Sequence, residues 1–179
     1  MPDFAVRPAV PSDADAIWAI QRSVLSEDLA AGLGGSLPAQ ARERIEATDG
    51  ASTWRETLAH IPAGGLVVVA TRNERVVGYA ALTPLAQPVS PTGGEVTIDA
   101  EISALDVRAA DQRQGHGSRL LAALMEGASA LEHRGVLAWT VAAQEARIRF
   151  LTSAGFAPLG VKRTLELDVE QVAFYTATA

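Results

Sequence analysis

The sequence predicts an α/β fold with a mixed sheet flanked by helices, and three observations predict it. Residues 66–71 (LVVVAT) and 76–82 (VVGYAAL) are apolar, valine-rich runs around Asn73-Glu74, which is the pattern of a β-hairpin. Residues 96–107 and 136–141 are further extended runs separated by a helical pattern, so strand, helix and strand form a βαβ unit. Its crossover is right-handed in nearly all proteins and sets the two strands parallel. Finally, the chain has 179 residues, 48% hydrophobic and 20% charged, the composition of a globular protein with one sizeable core.

The elements follow in order. Residues 4–7 are a short apolar run ended by Pro8, and Ser12-Asp13-Ala14-Asp15 supplies a capping start with acids in the first turn of a helix. Ile17, Ile20, Val24 and Leu25 keep helical spacing on one face. The pattern loosens over residues 29–53, where AGLGGSLP is a glycine-rich turn and Pro38 opens a short helix. Residues 54–60 add a helical turn or two before Pro62 and Gly64-Gly65. After the hairpin, residues 87–94 carry two prolines and two glycines and read as a loop. Leu120, Leu121, Leu124, Met125, Ala128 and Leu131 mark one side of a long helix that Gly135 terminates. Residues 144–154 read as a helix closed by Gly155, and residues 156–159 and 163–167 as two final extended pieces. One domain over residues 1–168 with a C-terminal tail at 169–179 is expected.

The totals narrow the function. There is no cysteine, which removes disulfides and thiolate metal sites. The first residues lack the basic start and apolar stretch of a secretory signal, and no apolar run approaches a bilayer span. A cytoplasmic protein that binds neither membrane, nucleic acid nor metal is expected. A net charge of −6 argues against an extended phosphate-backbone footprint. Arg108, Arg113 and Arg119 nevertheless crowd one stretch, where they suit a small anion.

That stretch, DVRAADQRQGHGSRLL, carries the chemistry. Gly115 and Gly117 stand at the junction of the third strand and the long helix. A helix begins with unpaired N–H groups and a partial positive charge, and glycine clears the lip so that successive amides converge on phosphate oxygens. A P-loop requires GxxxxGK, which is absent, and a dinucleotide fingerprint requires a third glycine where Leu120 stands. The plain alternative is an ordinary strand-to-helix turn without ligand.

Leu105-x-Val107 followed by Gln112-x-x-Gly115-x-Gly117 resembles the signature of the GNAT superfamily of N-acetyltransferases, Arg/Gln-x-x-Gly-x-Gly/Ala. FAVRPAVPSDADAI, VVVATRNERVVGYAAL and FLTSAGFAPLG resemble its opening, central hairpin and closing passage, so nearly all the chain to Leu167 is covered. The resemblance implies a mixed, largely antiparallel central sheet flanked by helices, with the parallel βαβ unit at the cofactor site. It implies acetyl-CoA as cosubstrate and direct acetyl transfer to a primary amine of a small molecule or peptide. Gln112, Arg113, Gln114, Gly115, His116, Gly117 and Ser118 would hold the pyrophosphate, with His116 a structural residue at the helix entrance rather than a catalytic one. Leu105, Asp106 and Val107 would pair with the pantetheine arm through the backbone, and Gln144 would hydrogen-bond that arm.

Glu101 is the candidate base, against the plain alternative of a solvated strand carboxylate; Asp99 and Asp106 are lesser candidates. The family's usual acid, a tyrosine in the closing helix, is replaced: Leu151 falls on it, Gln144 on the pattern's asparagine and Arg147 on its alanine. Thr152, Tyr79 or Tyr175 would have to serve, or the thiolate leaves unassisted. The rival reading is a non-catalytic acyl-CoA-binding sensor or partner-binding module. Trp18, Trp54 and Trp139 are read as core, and residues 31–38 as a lid over the acceptor. Because the family often dimerises, a homodimer using the tail stands beside a monomer.

Overall fold

The computed structural model describes residues 3–91, 93, 94 and 96–178. Met1 and Pro2 of the expected domain, Thr92 of the expected loop, Glu95, and Ala179 of the expected tail lie outside them. The described strands are β1 (Phe4–Pro8), β2 (Leu66–Arg72), β3 (Arg75–Val89), β4 (Ile98–Val107), β5 (Gly135–Val141), β6 (Ala157–Thr164) and β7 (Glu170–Ala177). They form one sheet in the order β1-β2-β3-β4-β5-β7-β6. All neighbours are antiparallel except β4 and β5, which pair in parallel as the βαβ pattern requires. The fold is therefore the mixed, largely antiparallel α/β class that the sequence predicts.

Helices cover both faces, which explains why β2 and β3 read as continuous apolar runs. On one face α4 (His116–Ala130) and α5 (Glu145–Ser153) pack Leu120, Leu124 and Leu151 against Val68, Ala70, Val136 and Ala138. On the other, α1 (Ala14–Gly32) and α3 (Gly50–Ala59) pack Ile17, Ile20 and Leu58 against Val67, Val69, Tyr79 and Ala81. The short helix α2 (Ala39–Ala47) lies between them in the chain and begins just after Pro38, as expected. The alternation of Val67 and Val69 with Val68 and Ala70 is the period-two side-chain reversal of a strand buried on both faces. No described helix is long and apolar enough to cross a membrane.

Several boundaries differ from the sequence reading, each for a physical reason. Strand β3 continues to Val89, beyond the expected loop start at 87. Its register with β4 passes from Pro84↔Ala100 to Val89↔Ile98, so Pro88 lies in an irregular stretch where no ladder donor is needed. Helix α1 runs to Gly32, into the segment read as a lid. Helix α3 is longer than the expected turn or two, because Asp49 accepts the Ser52 N–H at 3.1 Å and caps it. Gly50 lies against the Trp18 ring, where an added Cβ would come within 2.3 Å. The two final extended pieces are one strand, β6, interrupted near Gly160 at φ +79°.

The expected tail requires correction. Residues 170–177 are β7, inserted between β5 and β6, with partners from Gly135↔Ala177 to Val141↔Gln171. Ala173 and Phe174 point to opposite faces and are both buried, which holds the segment inside the sheet.

Candidate functional site

The site starts with a discontinuity in β4. This strand pairs with β5 only at Ala100↔Val136, Glu101↔Leu137 and Ile102↔Ala138. Just beyond, its register with β3 steps from Leu82↔Ile102 to Ala81↔Ala104, leaving Ser103 as an extra residue. Such a bulge bends a strand and raises its twist. Residues 103–107 therefore diverge from β5 while staying paired with β3, and a cleft of about 650 Å³ lies beside Leu105, Asp106, Val107 and the start of α4.

The loop between β4 and α4 is held from beneath. Asp111 is 2% exposed and ion-paired with Arg108 and Arg72. Arg72 also donates to Gln114 Oε1 at 3.3 Å, and Gln112 Nε2 donates to the Val107 carbonyl at 3.1 Å. Arg113 and Gly115 take positive φ, +60° and +82°, which turns the chain sharply into the helix. The first α4 amide with a backbone partner beyond the helix is Arg119, bonded to the Gly115 carbonyl at 3.1 Å. Among the described residues the amides of His116, Gly117 and Ser118 thus have no partner, and they stand at the helix start where an anion is favoured.

His116 is 2% exposed, packs edge-on against Phe4 at 5.1 Å, and its Nε2 has no partner among the described residues. Burial, with Arg119 nearby, holds its pKa below the usual histidine value. Gly117 lines the cleft opposite Phe150, where a Cβ would make ordinary contact with the ring at 3.7 Å.

Of the residues singled out in the sequence, Leu105, Asp106, Val107, Gln112, Arg113, Gly115, His116, Gly117, Ser118 and Gln144 all line this cleft. Gln114 does not; its side chain is tied to Arg72 and to the Ala110 carbonyl. Gln144 Nε2 is committed to Asp28 Oδ1 on α1, at 2.8 Å. Arg108 is neutralised by Asp111, and Arg119 donates to the Gln114 carbonyl and lies over the Phe4 ring.

A charged cluster that the sequence did not announce closes the cleft at the bulge. Arg147 on α5 bonds the Leu105 carbonyl, the Asp106 carboxylate at 2.6 Å and the Asp28 carboxylate at 3.3 Å. Asp106 accepts in turn from the Tyr79 hydroxyl at 3.0 Å. Burial lowers the Arg147 pKa, but Asp106 and Asp28 more than offset it, so the guanidinium stays charged. Burial raises the Asp28 carboxyl despite Arg147. Burial beside Asp106 likewise pushes Tyr79 far above the ordinary phenol value, and its side chain is fully buried. The phenol therefore keeps its proton, which is donated in a hydrogen bond to Asp106, and is a weaker acid than a free tyrosine.

Across this cluster lies a second cavity, about 170 Å³, lined by Glu101, Trp139, Arg163 and Gln171 together with Asp28 and Arg147. Glu101 is half-buried, and burial raises its pKa, with Arg163 opposing. Trp139, read from the sequence as core, borders this cavity beneath the Arg163 guanidinium. Trp54 is partly buried and donates to Gln21 at 2.7 Å. Leu151 is core, 2% exposed, and the Thr152 hydroxyl is spent on its own helix. Asp99 is bonded to Arg134 at the far end of β4 and lines neither cavity. A larger hollow of about 820 Å³ between α1 and α2 is lined by none of the residues singled out for cofactor binding or proton transfer.

A bent strand, a helix start whose first amides are unpaired among the described residues and an adjoining second cavity thus meet at one end of β4. The family model described as Acetyltransferase (GNAT) family matches residues 36–156, and the chain belongs to that family. Among solved structures, an N-acetyltransferase from Staphylococcus aureus Mu50 superposes with a TM-score of 0.72 at 20% identity, covering 99% of each chain. A ribosomal-protein-alanine N-acetyltransferase from Brucella melitensis gives 0.68 at 25% identity, covering 97% of this chain and 99% of its own. The yncA protein of Salmonella typhimurium, solved with its cofactor acetyl-CoA, gives 0.66 at 21% identity, covering 99% and 95%. No curated protein sequence matches.

Proposed function

We propose that the protein transfers the acetyl group of acetyl-CoA to a primary amine of a small molecule or peptide. The observation that carries this reading is the set of first-turn amides of α4, unpaired among the described residues, beside the bulged edge of β4 that β5 does not cover. The residues present suit an elongated anion: free N–H groups and Arg113 at one end, and the backbone of Leu105, Asp106 and Val107 along the side.

In this reading the amides of residues 113–118 grip the pyrophosphate, with Gly115 and Gly117 clearing the approach. His116 supports the entrance through its edge-on contact with Phe4. The β4 edge takes the pantetheine arm, for which Arg147 must give up the Leu105 carbonyl while keeping Asp106 and Asp28. Gln144 braces α5 against α1 through Asp28 and acts on the arm only indirectly.

Acetyl-CoA supplies the acetyl group as a thioester. The acceptor nitrogen forms its bond to the acetyl carbon as the carbon–sulfur bond breaks, and Glu101 takes the proton that the amine gives up. A carboxylate raised by burial suits that task near neutral pH. Leu151 is core, the Tyr79 hydroxyl is bonded to Asp106, the Thr152 hydroxyl is spent on its own helix and Tyr175 lines neither cavity, so this reading assigns no side chain to protonate sulfur. A thiol titrating near 8.5 leaves tolerably as thiolate, so catalysis does not demand the missing acid.

The test is release of free CoA when the protein and acetyl-CoA are offered amines. Amine-dependent release is expected; cofactor binding without release to any amine would favour the non-catalytic binding module instead.

A further inference from the structure

The cavity beside Glu101 bears on the chemistry of the acceptor, provided that acetyl transfer is the reaction, as proposed above. Four of its charged lining groups are Asp28, Asp106, Glu101 and Arg147, and the fifth is Arg163. Arg147 bridges Asp28 and Asp106, so both carboxylates are spent on its one guanidinium and that trio keeps a single net negative charge. Glu101 and Arg163 remain: among the described residues neither has an ion-pair partner, and they form no bridge with each other.

Arg163 is nonetheless held in place. Its guanidinium lies 4.2 Å from the centre of the Trp139 ring, and its Nε donates to Gln171 Oε1 at 2.7 Å. Both supports come from neighbouring strands, Trp139 on β5 and Gln171 on β7, in register through Trp139↔Ala173 and Arg163↔Gln171. The supports use the ring face and Nε, which leaves the two Nη groups as an unspent, pre-oriented fork of the kind that binds a carboxylate in two places. The same cavity thus presents a carboxylate at the β4 end and a cationic fork at the β6 end. Its volume corresponds to about six waters at roughly 30 Å³ each, the scale of a single small molecule.

We infer that the acceptor carries its own carboxylate close to the reacting amine, as a free amino acid does, with the amine at Glu101 and the carboxylate on the Arg163 fork. A diamine or polyamine of the same length would set its second cation against Arg163, which disfavours it.

The test compares a free amino acid, its carboxamide and a diamine of matching length, both as acceptors in CoA release and as ligands in calorimetry without donor. The free acid should bind and react with a KM at least about tenfold below the carboxamide, the size of one charge-assisted contact. R163Q should erase that advantage in both measurements, and R163K should restore part of it. Arg163 is exposed, so both variants should fold. Equal or better use of the carboxamide or diamine, or an advantage that survives R163Q, overturns the inference while leaving acetyl transfer intact. Release with none of the three, alongside none from a wider amine panel, overturns the reading beneath it.

Discussion

Arg147 Nη2 lies 2.6 Å from Asp106 Oδ1, joining the helix that closes the cleft to the strand that forms its floor. The same guanidinium reaches Asp28 on α1 at 3.3 Å, so one side chain ties three elements together where the two cavities meet. Without it both carboxylates would lose their cation, Asp28 keeping only its bond from Gln144 and Asp106 only that from the Tyr79 hydroxyl.

Replacing Arg147 with alanine should therefore cost about 1–3 kcal/mol of stability, the penalty for stranding buried polar partners, discounted for a side chain that is 26% exposed. Urea unfolding of the variant checks this. R147A/D28N should recover part of the loss, because the second change removes one of the stranded charges.

Glu101→Gln should lower kcat by about a hundredfold, within the usual reach of general-base catalysis, with little effect on acetyl-CoA affinity. Burial raises the Glu101 pKa, so in the wild type activity should fall as pH drops through a value above the ordinary glutamate range. That acidic limb should vanish in E101Q. The stability effect runs the other way. A carboxyl raised in the folded state favours folding below its unfolded pKa and loses that contribution as pH rises through the folded one, so E101Q should be slightly more stable at pH 7. Rate–pH profiles and unfolding curves measured together test both signs.

His116 gives a pH signature from a different region. Its folded pKa is lowered by burial, then by Arg119 and Arg72 against Asp111. The unfolded chain takes up a proton near pH 6.5 before the folded one does, so stability present above that pH is lost on acidification. The urea midpoint should drop between about pH 7.5 and about pH 5.5, and H116L should flatten the drop. The Asp13 carboxylate, held low by its hydrogen bonds from Arg7, loses its contribution only further down, below the usual aspartate range.

Much of this was legible because it is local. The β2–β3 hairpin is written in adjacent valines around Asn73-Glu74, and the loop in Gly115 and Gly117. The βαβ unit follows from patterns within one stretch of chain. What escaped depends on distance. Arg147 meets Asp106 and Asp28 across 41 and 119 residues, and only its departure from the family's alanine marked it. The bulge at Ser103 has no signature of its own, since an extra residue exists only relative to β3. Strand β7 carried a signal in Val172-Ala173-Phe174-Tyr175, but its place between β5 and β6 is set by pairing. Asp49 was a missed local cap.

The central claim is that bare amides at the start of α4 hold the diphosphate of acetyl-CoA. Isothermal calorimetry of acetyl-CoA against wild type and Gly117→Trp tests it most directly. The wild type should bind, and the variant should lose binding while keeping its circular dichroism, because an indole there fills the cleft beside Phe150. Undiminished binding by the folded variant, or no heat with the wild type, would contradict the account.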